Sequence, residues 1–249
     1  QSPSPRIKQY FATCIPGLET ILADELLSLG ASNVQPSGKS GVYFTSSPDD
    51  EVDLGLKVVL WLRTAHRVME LICSTDPSLA DFGIMMLPPP SSFDDDDVNT
   101  FDDFDSAYYH EPIQSKQDLY SFIKNSVPFK EILGDGKGNL LTLSIDKIIM
   151  NGYTPKELRH SHYTSLTVKN AIVDGVRDLR DDGIRPDVDI KDADVPFVVV
   201  LKGYKKDVYS DKDDGVVDVS LYRCLHAGGS LHRRGYRRSQ GGEDGDAVI

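Results

Sequence analysis

Only three cysteines occur in the 249 residues, and Cys14, Cys73 and Cys224 stand far apart without CxxC spacing. That pattern supports neither a disulfide framework nor a zinc cluster, and it fits a reducing, intracellular compartment. No apolar run approaches the roughly 20 residues that span a bilayer, so no membrane partner is expected. The start, Gln1-Ser2-Pro3-Ser4-Pro5, carries neither an initiating Met nor the apolar stretch of a signal peptide. Catalytic signatures are missing too. No nucleophile stands beside a base, no metal-ligand cluster appears, and no P-loop or dinucleotide fingerprint is present. His160 and His162, at i,i+2, have the wrong spacing for a helical zinc pair. The expectation is a chain with no catalytic residues, no metal and no bound cofactor.

Charge of one sign is also scarce in one place. The chain has 27 basic and 39 acidic residues, a net charge of −12, which taken as a uniform coat argues against a nucleic-acid partner. The coat is not uniform. Residues 74–115 contain ten acidic and no basic groups, whereas residues 116–177 contain nine basic and six acidic. The acidic stretch holds Pro88, Pro89 and Pro90, then Asp94 to Asp97, and shows no periodic apolar face. It reads as a solvated loop, with local docking through its own Phe and Tyr residues as the alternative. A calcium loop is disfavoured because the acidic row lacks the required spacing and glycine.

With 39% of its residues hydrophobic, the chain has enough apolar material for one or two packed domains. Tyr10 to Thr13 reads as a strand. Leu18, Ile21, Leu22, Leu26 and Leu29 then recur at helical spacing until Gly30. A strand over residues 41–45, a helix over 52–65 and a strand over 68–73 come next, giving β-α-β-α-β with the helices on one face. Beyond the acidic stretch, the pattern predicts a short helix over 116–125, a strand over 140–145 and a long helix from Ser165 to about Arg180. Two further strands are expected, over 197–201 and 217–222, as hydrogen-bonded partners. Gly134-Asp135-Gly136-Lys137-Gly138 reads as a turn, because no strand enters it and no helix leaves it.

Cations cluster in three places. Arg159-His160-Ser161-His162-Tyr163-Thr164-Ser165 leads into the long helix, whose free N–H groups attract anions, and Lys169 and Arg180 lie further along nearly the same side. An ordinary capped helix with a solvated face is the plain alternative. Lys202, Lys205 and Lys206 end an apolar strand. The densest group is Leu231-His232-Arg233-Arg234-Gly235-Tyr236-Arg237-Arg238, four arginines and two rings suited to phosphates and to stacking on bases.

Three blocks carry a resemblance. They are Ser161-His162-Tyr163-Thr164-Ser165 continuing to Asp174, Arg185-Pro186-Asp187-Val188-Asp189, and Ser230-Leu231-His232-Arg233-Arg234-Gly235-Tyr236-Arg237. Together they resemble the THUMP domain of a family of ribosomal RNA (guanine-N2)-methyltransferases. Tyr10-Phe11-Ala12-Thr13, Pro16-Gly17-Leu18-Glu19 and the helix ending Trp61-Leu62-Arg63-Thr64-Ala65-His66-Arg67 are similar to the ferredoxin-like unit that precedes it. Leu221 to His226, ahead of the Gly-Gly-Ser-Leu-His segment, looks more like plant or algal members.

The resemblance implies an α+β to α/β chain. A ferredoxin-like unit would occupy 1–73, with a boundary that could fall near 45. An acidic insertion over 74–115, a THUMP domain over 116–238 and a flexible tail over 239–249 would complete it. It implies binding of RNA, ribosomal by family, for guanine-N2 methylation that uses S-adenosylmethionine in a methyltransferase domain outside this chain. The expected RNA contacts are Arg159, His162, Thr164, Lys169, Arg233, Arg234, Tyr236 and Arg237. A transfer-RNA target and a protein-docking role for the acidic loop are the alternatives. The expected location is intracellular, in the cytoplasm or an organelle such as the chloroplast.

Overall fold

The computed structural model describes residues 7–38, 40–47, 52–82, 113–134, 138–205, 215–226 and 231. Most of the acidic stretch and the arginine-rich peptide that begins at His232 lie outside these residues.

The first unit runs β1 (Gln9–Thr13), α1 (Glu19–Ser28), β2 (Ser32–Pro36), β3 (Gly41–Thr45), α2 (Leu54–Trp61) and β4 (Arg67–Ser74). All strand pairs among these are antiparallel, in the order β2-β3-β1-β4. This is the ferredoxin-like arrangement. The expected β-α-β-α-β order is thereby corrected, because it lacks β2. The five residues of that strand, Ser32 to Pro36, are half-exposed or exposed along an edge and carry no apolar alternation.

A 3-10 helix (Pro77–Phe82) comes after β4. The second unit then comprises α3 (Lys116–Ser126), α4 (Phe129–Leu133), β5 (Leu143–Gly152), α5 (Ser161–Asp178), β6 (Val195–Lys205) and β7 (Gly215–Cys224). The expected pairing of the last two strands holds, with Phe197 opposite Arg223 and Leu201 opposite Val219. The strand expected over 140–145 starts only at Leu143 and runs on to Gly152, and α5 begins four residues earlier than Ser165. α3 starts with a capping box, in which the Ser115 hydroxyl accepts from the Asp118 N–H and Asp118 accepts from the Ser115 N–H.

The two units share one sheet. β4 pairs with β7, so seven strands run in the order β2-β3-β1-β4-β7-β6-β5, and among the described pairs only β5 and β6 are parallel. The register places Val68 and Glu70 of β4 on the same face as Arg223, Leu221 and Val219 of β7. The helices pack on that face over two cores. One joins Tyr10, Ala12, Phe44 and Val68 to Leu22, Leu26 and Val58 of α1 and α2. The other joins Phe197, Val199, Leu201 and Leu221 to Leu119, Ile123, Val168 and Ile172 of α3 and α5. Between them, Glu70 accepts two hydrogen bonds from the Arg223 guanidinium, at 2.9 and 2.7 Å. On the opposite face Met69, Leu71, Val198 and Tyr222 pack together with Leu79 of the 3-10 helix.

Candidate nucleic-acid interface

The connection from β5 to α5, residues 153–160, leaves the sheet where three strand ends meet. Gly152 is opposite Gly203, and the Tyr153 N–H donates to the Gly203 carbonyl at 3.1 Å. The backbones approach so closely that a Cβ on Gly203 would lie 2.1 Å from the Tyr153 carbonyl oxygen, and one on Gly215 would lie 2.7 Å from the Tyr153 ring. The Tyr153 ring therefore lies across the start of β7. Two cations flank it, the Arg159 guanidinium 5.7 Å and the Lys205 ammonium 5.9 Å from the ring centroid. Arg159 is further oriented by donating through Nε and Nη2 to the Thr154 carbonyl, at 3.3 and 3.1 Å.

The other end of this connection opens α5. His160 is its N-cap and makes no side-chain capping bond, and no acidic residue occupies the first turn. No carboxylate of the first turn itself adds to or competes for the field at the helix start. Three rings gather there, with His160 4.8 Å and His162 5.5 Å from Tyr163, which is 52% exposed. The Lys116 ammonium of α3 lies 5.1 Å from the same Tyr163 ring. The Lys116 backbone N–H donates to Glu157 at 3.3 Å and ties α3 to the connection. One short loop thus brings together Lys116, Arg159 and Lys205 with Tyr153, Tyr163 and two imidazoles. Cations beside exposed rings can pair with phosphates and stack on bases.

Of the residues expected to contact RNA, Arg159 and His162 are exposed on this surface and Lys169 is half-buried on α5. Thr164 is fully buried, and its hydroxyl donates to the Leu158 carbonyl at 2.8 Å, so in this structure it holds the connection in place from within the core. Arg233, Arg234, Tyr236 and Arg237 lie outside the described residues, as does Lys206. Arg180 does not extend the surface, because its guanidinium is paired with Asp182 and donates to the Gly138 carbonyl at 3.3 Å. Lys202 is paired with Asp76 at 3.3 Å, and the Tyr204 hydroxyl and Asp76 hold its ammonium above the usual lysine range. Sequence reasoning misses Tyr153 and Lys116, since only the topology brings residues 116, 153 and 205 together.

S-adenosylmethionine, implied by the resemblance, does not fit the described residues. An adenosyl cofactor is held by a glycine-rich turn from a parallel strand into a helix. The connection after parallel strand β5 has no glycine between Tyr153 and His160. Gly134 forms an antiparallel bridge with Leu140 instead of leading from a parallel strand. Among the described residues no group of three or more His, Cys, Asp or Glu could hold a metal ion, and no helix is long and apolar enough to cross a membrane.

Comparison with known proteins places these observations. A family model for the RlmL ferredoxin-like domain matches residues 9–69, which run from the first residue of β1 into β4. The ribosomal RNA large subunit methyltransferase K/L of Cellvibrio japonicus is 29% identical over 235 residues, 94% of this chain and 22% of that protein. Its counterpart in Magnetococcus marinus is 28% identical over 233 residues, 94% of this chain and 23% of that protein. The chain therefore spans less than a quarter of the length of these relatives. Among solved structures, a Clostridium difficile 630 protein described as "a possible methylase" aligns with a TM-score of 0.58 at 18% identity, over 95% of this chain and 45% of that one. TrmN from Thermus thermophilus aligns with a TM-score of 0.51 at 17% identity, over 92% and 48%. These two likenesses show the fold. In sequence, the chain is similar to ribosomal RNA large subunit methyltransferases K/L, and its first unit to their RlmL ferredoxin-like domain.

Proposed function

We propose that the chain is an RNA-binding module that positions ribosomal RNA for S-adenosylmethionine-dependent guanine-N2 methylation, with the second unit acting as a THUMP domain and the chemistry residing outside the described residues. The observation that carries this reading is the clustering of Lys116, Arg159 and Lys205 around Tyr153 and Tyr163 at the uncapped start of α5. The similarity to ribosomal RNA methyltransferases K/L supports ribosomal RNA as the ligand. His162 lies beside Tyr163 of the cluster, and Lys169 stands two turns further along α5 as a further proposed contact. Arg233, Arg234, Tyr236 and Arg237 are proposed as a second contact, on the chemistry of arginine beside aromatic rings.

Binding of a labelled large-subunit ribosomal RNA transcript, monitored by fluorescence anisotropy at several salt concentrations, tests the reading. Affinity should fall steeply as salt rises, because each neutralised phosphate releases counterions. R159A/K205A should weaken binding and flatten the salt slope by about two phosphate contacts. Absence of binding at low salt, or an unchanged slope in the variant, removes this surface from the interface.

A further inference from the structure

Trp61 is the one tryptophan of the chain, and it closes α2 with 68% of its surface exposed. The helix packs on the sheet through Leu54, Gly55 and Val58, so the indole is left as a flat ring in water. Lys57 stands one turn before the ring on the same flank of the helix. Its ammonium makes no ion pair among the described residues. Two residues beyond the ring, Arg63 is exposed in the turn that leads into β4. Glu25 of α1 holds that turn, accepting from the Arg63 and Thr64 N–H groups at 3.1 and 3.0 Å.

The course of the chain brings more cations to this corner. The Leu231 N–H donates to the His66 carbonyl at 2.9 Å, and Leu231 is buried in the core that also holds Leu62 and Ala65. Arg233 follows two residues later, and covalent reach alone keeps its Cα within about 8 Å of the Leu231 Cα. The arginine-rich peptide therefore starts beside the turn that carries Trp61 and Arg63. This corner is well separated from the start of α5. Cys224, at the end of β7, is opposite Met69 near the start of β4, whereas Gly215, at the other end, lies against the Tyr153 ring. The ten residues of β7 put the two places about 30 Å apart.

The mixture of groups selects the partner. An apolar protein surface laid on the indole would strip water from Lys57 and Arg63 and give them no counter-charge. RNA offers a base to the ring and phosphates to the cations.

We infer that Lys57, Trp61 and Arg63 form an RNA contact on the first unit, in which a base stacks on the indole and the two cations hold the flanking phosphates. This inference rests on the proposed function and extends it from the second unit to the first. Every base has a face that can stack, so the contact adds affinity without reading sequence.

Because the chain has a single tryptophan, its fluorescence reports this ring alone. The labelled large-subunit ribosomal RNA transcript is titrated with the 249-residue chain while indole emission and RNA anisotropy are followed together. Stacking should quench the emission along the same curve as the anisotropy. W61A should weaken binding about tenfold with an unchanged salt slope, since stacking releases no counterions, and W61F should restore most of the affinity. K57A should instead flatten the slope by about one phosphate contact. Binding with unaltered indole emission, or with W61A equal to wild type, overturns the inference and leaves the α5 contact in place. An emission change that follows protein concentration without RNA marks a contact between copies of the chain and also overturns it. Absence of RNA binding at low salt removes the proposed function itself, and this inference with it.

Discussion

Replacing Thr164 with Val separates a residue that holds the interface from one that touches ligand. Valine keeps the shape of threonine, so the fully buried site is neither emptied nor overfilled. What disappears is the hydrogen bond from Oγ1 to the Leu158 carbonyl, 2.8 Å long and inside the protein. Losing the bond and leaving the carbonyl without a donor should cost about 1–3 kcal/mol. In a chain of this size that lowers the melting temperature by about 2–4 °C for each kcal/mol. T164S retains the donor and drops one methyl group, at about 0.5–1.5 kcal/mol. Urea unfolding at constant m-value is the assay, paired with RNA anisotropy. T164V should be the less stable of the two and should weaken RNA binding a few-fold, through loss of order in the connection that carries Arg159. If T164V unfolds at the wild-type urea concentration while RNA binding collapses, Thr164 is a contact and the reasoning fails.

E70A would leave the Arg223 guanidinium between the two cores without its carboxylate. Since that side chain is only 25% exposed, urea unfolding should show a loss of about 2–4 kcal/mol, and a change near zero would mean the pair does not join the units. G175A places a Cβ 2.2 Å from the Phe129 ring, so a strain of about 1–3 kcal/mol should outweigh the roughly 1 kcal/mol by which alanine is the better helix former. The double variant with F129L should recover most of the loss. Burial pushes the Cys73 thiol up to about 12 and the Cys224 thiol up to about 11, and raises Cys14 as well. Thiolate is then scarce at pH 8, and a thiol reagent should react slowly with native protein and with three groups after unfolding. A fast native thiol would contradict that burial.

Elements with a periodic apolar face are legible in the sequence. α1 shows it through Leu22 and Leu26, α5 through Val168, Ala171 and Ile172, and the strand pair β6 and β7 through Phe197 to Leu201 against Val217 to Leu221. β2 is illegible because an exposed edge strand needs no apolar alternation, and Asn33 within it adopts a φ of 48°. α4 is only five residues long, too short for a helical period to emerge. The early start of α5 is hidden because His160 caps it through its backbone alone, without the side-chain signature that marks most helix starts. Nothing local announces that β4 pairs with β7, since Glu70 and Arg223 are brought together only by the completed sheet.

The same distinction governs the candidate interface. Charge counted along the sequence places nine cations in residues 116–177, and packing gives the cations at the two ends of α5 different surroundings. Toward the end of α5, Lys124 is paired with Asp178, Arg177 with Asp174 and Asp178, and Arg185 with Asp174, so that end of the helix offers little net field. At its start, Lys116 and Arg159 lie against tyrosine rings, and Lys205 joins them from the end of β6. A guanidinium locked to a carboxylate has lost much of its pull on phosphate. The net charge of −12 therefore says little about the partner. What matters is where the groups stand: aspartates pair with cations toward one end of α5, and Lys116, Arg159 and Lys205 gather with tyrosine rings near the other.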